Sequence, residues 1–357
     1  MTKQIRTKPR DINIDIVKTV AIISVICIHF FAYIATYGAD TKLGNTIWLE
    51  LILTQVFTVC VPLFLLSTGY LMNKKYPSLS YYKKIFGVLF IYLVTSILFQ
   101  IFRVATADEA ITIGDVVRQI INIEGSQYSW YVEMYIGLFL FIPLLNIIWS
   151  RLETKKARGI LCLALFAVCS VPHIIIKGIH LPDYWIGLWP IMFYYAGAYF
   201  KEYNFRLTLP KRLIFLLLSF FAVCLVAIIK TITNNGIVPA SHLINDWAFP
   251  WIVIYSIALF SLIISLKKTQ KLPNFLKHAI TKISSLTLGI YLTSAIFDSI
   301  VYYNIFKTGS NPASDLKYFP FAVTLTFIGS FIVAWVIDKA WQFINKPRNK
   351  SKTIEEK

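Results

Sequence analysis

Residues 12–36 read INIDIVKTVAIISVICIHFFAYIAT, an apolar run that contains three ionisable residues, Asp15, Lys18 and His29. A helix of about 20 apolar residues crosses the hydrocarbon core of a bilayer, so the run predicts a membrane-spanning helix. It is too long for a secretory signal and leads into further apolar runs rather than into a soluble domain. We therefore expect it to remain in the protein.

The whole chain has the composition of a multi-pass membrane protein. Of its 357 residues, 57% are hydrophobic and 15% are charged, and the mean hydropathy is +0.64. A soluble globular protein is about half apolar and a quarter charged, so this chain has too little polar surface to cover itself in water. The same composition excludes a disordered chain, a fibrous repeat and a small disulfide-stabilised domain.

Ten runs of membrane length follow one another along the chain. They are 12–36, 47–72, 83–102, 130–149, 158–176, 184–201, 211–230, 246–266, 283–303 and 318–343. Trp, Pro and Gly interrupt 184–201 and 246–266 more than the others. The sequence therefore predicts an all-α integral membrane protein with ten transmembrane helices, in which residues 12–343 form one membrane domain.

Basic residues alternate between the segments that connect these runs. Of the 35 Lys and Arg residues, 26 lie in every second segment, counted from the N-terminal one, and 7 lie in the other connections. Cytoplasmic loops carry the excess of Lys and Arg, so the alternation predicts an even helix count with both termini cytoplasmic: a segment 1–11 and a disordered tail 344–357. Membrane orientation also explains the net charge of +17, and we expect no nucleic-acid partner.

The sequence offers no pattern typical of a metal site. All five cysteines lie inside apolar runs without a CxxC partner, and the five histidines lack a spacing such as HExxH. We expect neither a metal nor a bound cofactor. In the long connection 103–129, residues 115–121 have helical apolar spacing, which predicts a short helix that lies at the outer surface or dips toward the core.

The three ionisable residues of the first span share one helical face. Asp15 and Lys18 are three residues apart and can form an ion pair, and His29 follows Lys18 by three turns plus about 20°. The rise of about 16 Å places Lys18 toward the cytoplasm and His29 in the outer half. Each residue also has a simpler explanation, since Asp15 and Lys18 can snorkel and a lone histidine can be a hydrogen-bonded core residue. The shared stripe favours function, because ionisable groups in lipid cost about 2.5–3.5 kcal/mol each.

Further polar residues lie at the ends of spans. Ser67-Thr68-Gly69-Tyr70 closes the second span, and its glycine permits close helix approach. Trp130-Tyr131 opens the fourth span on the outer side, where an interfacial aromatic belt is the simpler interpretation. Glu133 lies one turn further inside, where a carboxylate is costly. Lys83-Lys84 begins the third span, and the cytoplasmic excess of basic residues explains this pair equally well.

Taken in order, these motifs resemble acyltransferase family 3, ten-helix bacterial membrane enzymes that O-acylate cell-surface glycans. The resemblance rests on five stretches: DIVK followed by ten residues and a histidine (15–29), PLFLLSTGY (62–70), the basic pair 83–84, WY with GLF and PLL (130–145), and TLGIYLTS (287–294). Two residues depart from the family pattern. Lys18 replaces an arginine, which gives up the planar fork of a guanidinium, and Ser294 stands where many members carry a histidine.

The resemblance implies an O-acyltransferase of the bacterial plasma membrane, in the class that transfers groups other than aminoacyl groups. It would move an acyl group, most simply acetyl, from cytoplasmic acyl-CoA to a hydroxyl of an exported polysaccharide or glycolipid. The expected catalytic residues are His29, as general base or as the carrier of a transient acyl-imidazole, and Glu133. The expected substrate-binding residues are Asp15, Lys18, Lys83, Lys84, Ser67, Tyr70, Trp130, Tyr131 and Tyr291.

Within that set, Lys83, Lys84 and Lys18 would attract the CoA phosphates, and Asp15 would hold Lys18 in place. Trp130 and Tyr131 would form a platform for the sugar near Glu133. The alternative to an enzyme is a polysaccharide exporter or flippase-like carrier that uses the same polar residues without chemistry, and the serine at position 294 favours it.

Overall fold

The computed structural model describes residues 10–37, 47–106, 111–174, 182–203, 207–233, 247–306 and 316–345. These residues form thirteen α-helices and four short 3-10 turns, and no strand occurs among them. The helices are α1 Ile12–Tyr37, α2 Ile47–Phe57, α3 Cys60–Met72, α4 Leu79–Tyr82, α5 Ile85–Thr106, α6 Ile113–Ile121, α7 Trp130–Arg151, α8 Lys155–Ser170, α9 Trp189–Glu202, α10 Leu209–Thr233, α11 Pro250–Ile264, α12 Asn274–Phe306 and α13 Phe319–Ile344. The all-α prediction is confirmed.

The described residues contain eight helical segments that are long and apolar enough to cross a membrane. They correspond to α1, α2 with α3, α4 with α5, α7, α8, α10, α12 and α13. The other two predicted spans, 184–201 and 246–266, contain α9 and α11, which have only 14 and 15 residues. Helices of that length rise about 21–23 Å, less than the roughly 30 Å of a bilayer core. The predicted count of ten is therefore not confirmed, and the cytoplasmic placement of the termini stays a prediction.

α1 lies at the centre of the bundle, in contact with α2, α3, α11, α12 and α13. Several of its apolar side chains, among them Val17, Ile22 and Ile26, are completely buried. Because neighbouring helices surround α1, its ionisable side chains face protein rather than lipid, where hydrogen-bonding partners offset the cost of burying them. The short α9 is also internal, since most of its residues are buried against α3 and α8.

Two glycines allow α3 and α9 to pack with their backbones in contact. A Cβ atom on Gly69 would lie 1.9 Å from the Tyr194 carbonyl oxygen, and one on Gly197 would lie 2.1 Å from the Leu66 carbonyl oxygen. Both neighbours are backbone atoms of the facing helix, which a side-chain rotation cannot move away. The prediction that Gly69 permits close helix approach is confirmed, and Gly197 is its counterpart on α9.

We expect Gly197→Ala to destabilise the protein, because the added methyl group forces α3 and α9 apart. Overpacking of this kind costs about 1–3 kcal/mol, which thermal unfolding in detergent would show as a lower midpoint. Gly137→Ala on α7 is the matched control, since a Cβ atom there meets nothing within 4 Å. Equal midpoints for the two variants would contradict the tight contact.

The short helix predicted for residues 115–121 is present as α6, and its place at the outer surface stays a prediction. The Thr112 hydroxyl accepts a hydrogen bond from the Asp115 backbone N–H, which caps the helix N-terminus. Hydrogen bonding to Thr112 and the nearby Arg118 guanidinium lower the pKa of the Asp115 carboxyl. Ile113, Val117 and Ile121 form an exposed stripe at four-residue spacing, as expected of a helix that lies at a membrane interface.

Candidate active site

The polar stripe of α1 faces one helix, α12. The Asp15 carboxylate accepts a hydrogen bond from the Ser284 hydroxyl at 2.6 Å, and the Lys18 ammonium donates to the Ser284 carbonyl at 2.6 Å. Further along both helices, His29 Nδ1 lies 2.9 Å from Asp298 Oδ2. Residue numbers increase in the same direction along both helices from one contact to the next, so α1 and α12 run parallel. The prediction that Asp15, Lys18 and His29 share one face is confirmed.

The predicted ion pair between Asp15 and Lys18 is wrong. Asp15 instead pairs with Arg10, whose Nε and Nη2 lie 2.7 and 2.9 Å from the two carboxylate oxygens. This two-pronged contact is the geometry that a guanidinium favours with a carboxylate. Asp15 therefore links the start of α1 to the Ser284 hydroxyl. The Ser284 carbonyl, rather than Asp15, accepts the hydrogen bond of the Lys18 ammonium.

His29 forms a buried pair with Asp298, a residue that the sequence analysis did not single out. Asp298 is completely buried, and the His29 side chain keeps 14% of its surface exposed. With Asp298 ionised, its carboxylate only accepts hydrogen bonds, and the ring then donates from Nδ1. In the neutral imidazole, Nε2 then carries the lone pair that accepts a proton. This is the arrangement of a general base that is oriented by an acid.

Tyr128 completes this cluster from the connection before α7. Its hydroxyl donates to Asp298 Oδ2 at 2.6 Å, the same oxygen that His29 contacts. Its ring stacks on the His29 imidazole, with ring centres 4.0 Å apart and an interplanar angle of 25°. Asp298 Oδ1 has no hydrogen-bond partner among the described residues. Tyr128 and Asp298 together orient the plane of the imidazole, and an ionised Asp298 favours the tautomer that is protonated at Nδ1.

A cavity of about 290 Å³ lies beside the stripe, between α1, α3, α5, α7 and α12. It reaches from Lys18 to Val25 along α1, about 10 Å of helix rise. Its walls are mostly apolar, with polar groups from Lys18, Ser67, Thr68, Tyr131, Tyr135, Ser285, Thr287 and Tyr291. The Ser67 hydroxyl is buried with no hydrogen-bond partner in the described part of the chain. Such a group can bind a polar atom of a ligand.

Of the predicted substrate-binding residues, four line this cavity: Lys18, Ser67, Tyr131 and Tyr291. Asp15 and Tyr70 lie outside its lining, and the Tyr70 hydroxyl donates to the Asp11 carboxylate at 3.3 Å. Lys83 and Lys84 are exposed between α4 and α5. Lys84 precedes the cavity residue Val88 by one helical turn, so it lies on the same face of the chain.

Glu133 is not brought into the cluster. Its side chain is exposed, as is that of Trp130, while Val132 between Tyr131 and Glu133 is completely buried. Neighbouring positions on a helix point in different directions, so the face of α7 that presents Tyr131 to the cavity turns Glu133 away. Asp298, and not Glu133, is the carboxylate that accompanies His29 here.

Two residues of the cluster, Asp298 and Tyr128, were not predicted from the sequence, and only Asp298 has a sequence feature that could have identified it. Asp298 lies inside the predicted span 283–303, where the cost of an ionisable group marks it as a candidate. Asp298 also lies one helical turn after Ser294, and Ser294 is the position at which the family pattern carries a histidine. Tyr128 lies in a connection and carries no such signal. Within the described residues, no three His, Cys, Asp or Glu side chains are grouped to hold a metal ion.

Comparison with known proteins assigns the chain to a family. The family model of acyltransferase family 3, described as an acyltransferase domain, matches residues 11–337. No curated protein and no solved structure matches the chain significantly. The matched range includes α1, the cavity, the His29–Asp298 pair and α13 as far as residue 337. The chain therefore belongs to acyltransferase family 3, as a multi-pass membrane protein with an acyltransferase domain.

Proposed function

We propose that the protein is an O-acyltransferase of the bacterial plasma membrane. It transfers an acyl group, most simply acetyl, from cytoplasmic acyl-CoA to a hydroxyl of an exported polysaccharide or glycolipid. The observation that carries the proposal is the contact between His29 Nδ1 and Asp298 Oδ2, within a chain of an acyltransferase family. A buried acid that orients an imidazole is a device for activating a hydroxyl group.

In the proposed reaction, His29 Nε2 removes the proton of the acceptor hydroxyl. The oxygen attacks the thioester carbonyl carbon, a carbon–oxygen bond forms, and the carbon–sulfur bond breaks. The thiolate of CoA leaves and takes up the proton from the imidazolium. Asp298 stabilises the positive charge on the ring while it holds that proton. The same lone pair can instead attack the thioester first and form an acyl-imidazole, which the acceptor hydroxyl then cleaves.

The proposed donor site lies at the Lys18 end of the cavity. Lys18 lines the cavity, and its ammonium can bind an anionic group of the donor. The exposed Lys83 and Lys84 can attract the CoA phosphates. On the acceptor side, the exposed Trp130 ring, packed edge-on against Tyr131, offers a face to a sugar.

We expect Lys18→Ala to raise the KM for acyl-CoA several-fold with a smaller effect on kcat, because the charge acts in donor binding. Lys18→Arg should retain most of the affinity, since it keeps the charge. Lys277→Ala is the control: this lysine donates to the Gln270 carbonyl near the start of α12, away from the cavity. An unchanged KM in Lys18→Ala would remove the lysine from the donor site.

The function is tested by incubating purified protein in detergent with acetyl-CoA and an extract of membrane glycans. We expect release of free CoA together with acetyl groups on the glycan, measured by mass spectrometry.

The second candidate, a non-catalytic polysaccharide exporter, is favoured by Ser294, whose hydroxyl is buried and donates to the Tyr291 carbonyl. A carrier consumes no donor, so glycan transport without CoA release would favour it. Surface glycans of a deletion strain would identify the acceptor.

A further inference from the structure

We propose that Tyr291 is a movable wall that determines whether a sugar hydroxyl or water accepts the acyl group. This inference rests on the proposed function, because it assumes that a thioester occupies the cavity. His29 is not among the residues that line the cavity. A donor bound in this cavity would therefore not contact the base directly, and the proposed reaction requires that the two meet.

Tyrosine rings in mutual contact extend from the cavity lining to His29. Tyr291 lines the cavity and also packs against the imidazole, with ring centres 6.3 Å apart. It contacts Tyr128 at 5.6 Å and Tyr131 at 5.4 Å between ring centres. All three tyrosines are at least nine-tenths buried. Of these rings, Tyr291 is thus the one in contact with both His29 and the two other tyrosines.

The Tyr291 hydroxyl indicates that this ring is able to move. It is buried and has no hydrogen-bond partner among the described residues, an unfavourable state for a polar group. Packing alone holds the ring in its present position, whereas Tyr128 is held by its bond to Asp298. A displacement that gives the Tyr291 hydroxyl a partner recovers free energy and opens the path from the cavity to Nε2.

The wall matters because water competes with the acceptor. If water reaches His29 and the thioester together, its oxygen attacks the carbonyl carbon, the carbon–sulfur bond breaks, and the products are a free carboxylic acid and CoA. The His29 side chain keeps 14% of its surface exposed, so in this proposal the thioester is the reactant that has to be shielded from water. Exclusion of water from reactive intermediates is a recognised role of closed sites.

The first test measures CoA release without an acceptor, relative to glycan acylation. We expect this ratio to rise at least tenfold in Tyr291→Ala and to rise by less in Tyr291→Leu, which keeps more bulk. Tyr291→Phe keeps the wall and should retain the wild-type ratio. Phe331→Ala on α13 also truncates an aromatic ring, away from the cavity, and controls for loosened packing. A wild-type ratio in both Tyr291→Ala and Tyr291→Leu would overturn the proposal.

The second test does not depend on catalysis. Ser67→Cys places a thiol on the cavity lining, and a membrane-impermeant thiol reagent is applied separately to each face of sealed vesicles. Labelling from the His29 face should be at least tenfold faster when Tyr291→Ala or Tyr291→Leu is added, with protein lacking Ser67→Cys as the blank. Unchanged labelling would overturn the wall even in an active enzyme. Faster labelling in a protein that never consumes acyl-CoA would retain the wall and refute only the proposed function.

Discussion

His29→Ala should abolish acyl transfer and leave a folded protein in the membrane. The imidazole supplies the lone pair that accepts the hydroxyl proton, and general-base catalysis of this kind contributes about 10²–10⁴-fold. We expect kcat/KM to fall by at least about 100-fold in an assay of acetyl-CoA turnover with glycan acceptor. His29→Gln should be equally inactive, because an amide keeps the size of the side chain but provides no base.

The matched control is His278→Ala, a histidine that is exposed on α12, and it should retain wild-type activity. Detergent-solubilised His29→Ala should elute at the wild-type position in size-exclusion chromatography, since His29 is one of many contacts between α1 and α12. Substantial transfer by folded His29→Ala would refute the mechanism for either form of catalysis, general base or acyl-imidazole.

The second large effect is expected for Asp298→Asn, which removes a charge with little change in shape. Without the carboxylate, the imidazolium that forms in the reaction loses its counter-charge, and the amide no longer guarantees the tautomer that places the lone pair on Nε2. We expect kcat to fall by at least about 100-fold. The KM for acyl-CoA should stay near the wild-type value, since Asp298 does not line the cavity.

The split between kcat and KM distinguishes a positioning role from a loss of structure. Asp338→Asn is the control: it breaks a contact between α12 and α13, where Asp338 lies 2.9 Å from Lys282, away from the cluster. That variant should lower stability modestly and leave kcat unchanged. If Asp298→Asn raised KM and kept kcat, Asp298 would act in substrate binding instead of orienting His29.

Asp15 and Glu133 show why sequence reasoning about partners was incomplete. Helical spacing correctly placed Asp15 beside Lys18, yet proximity on one helix does not select a partner. Arg10 takes both carboxylate oxygens and Ser284 contributes a hydroxyl. Glu133 is costly in an apolar run by position alone, and the rotation of α7 about its axis decides that it is exposed. Such a rotation depends on packing between helices, which a single apolar run does not encode.

α9 and α11 show the limit of counting apolar runs. Both runs are apolar along their length, but the helices have only 14 and 15 residues, and α9 is largely covered by protein. A buried helix and a membrane-spanning helix have the same hydropathy, because both surroundings are apolar. Composition therefore does not distinguish a buried helix from a membrane-spanning one. The internal position of α9 is seen only in the structure, where Gly69 and Gly197 bring the backbones of α3 and α9 into contact.

The amino-acid sequence alone determines the membrane-spanning character of the chain, its resemblance to a family, and the polar stripe of α1. These depend on composition and on the helical period, which act over a few turns. The tertiary structure alone decides that His29 meets Asp298, 269 residues further along the chain, that Tyr128 stacks on the imidazole, and that Tyr291 both lines the cavity and contacts the imidazole. Such contacts depend on which helix faces fit together, and that fit is a property of the whole bundle.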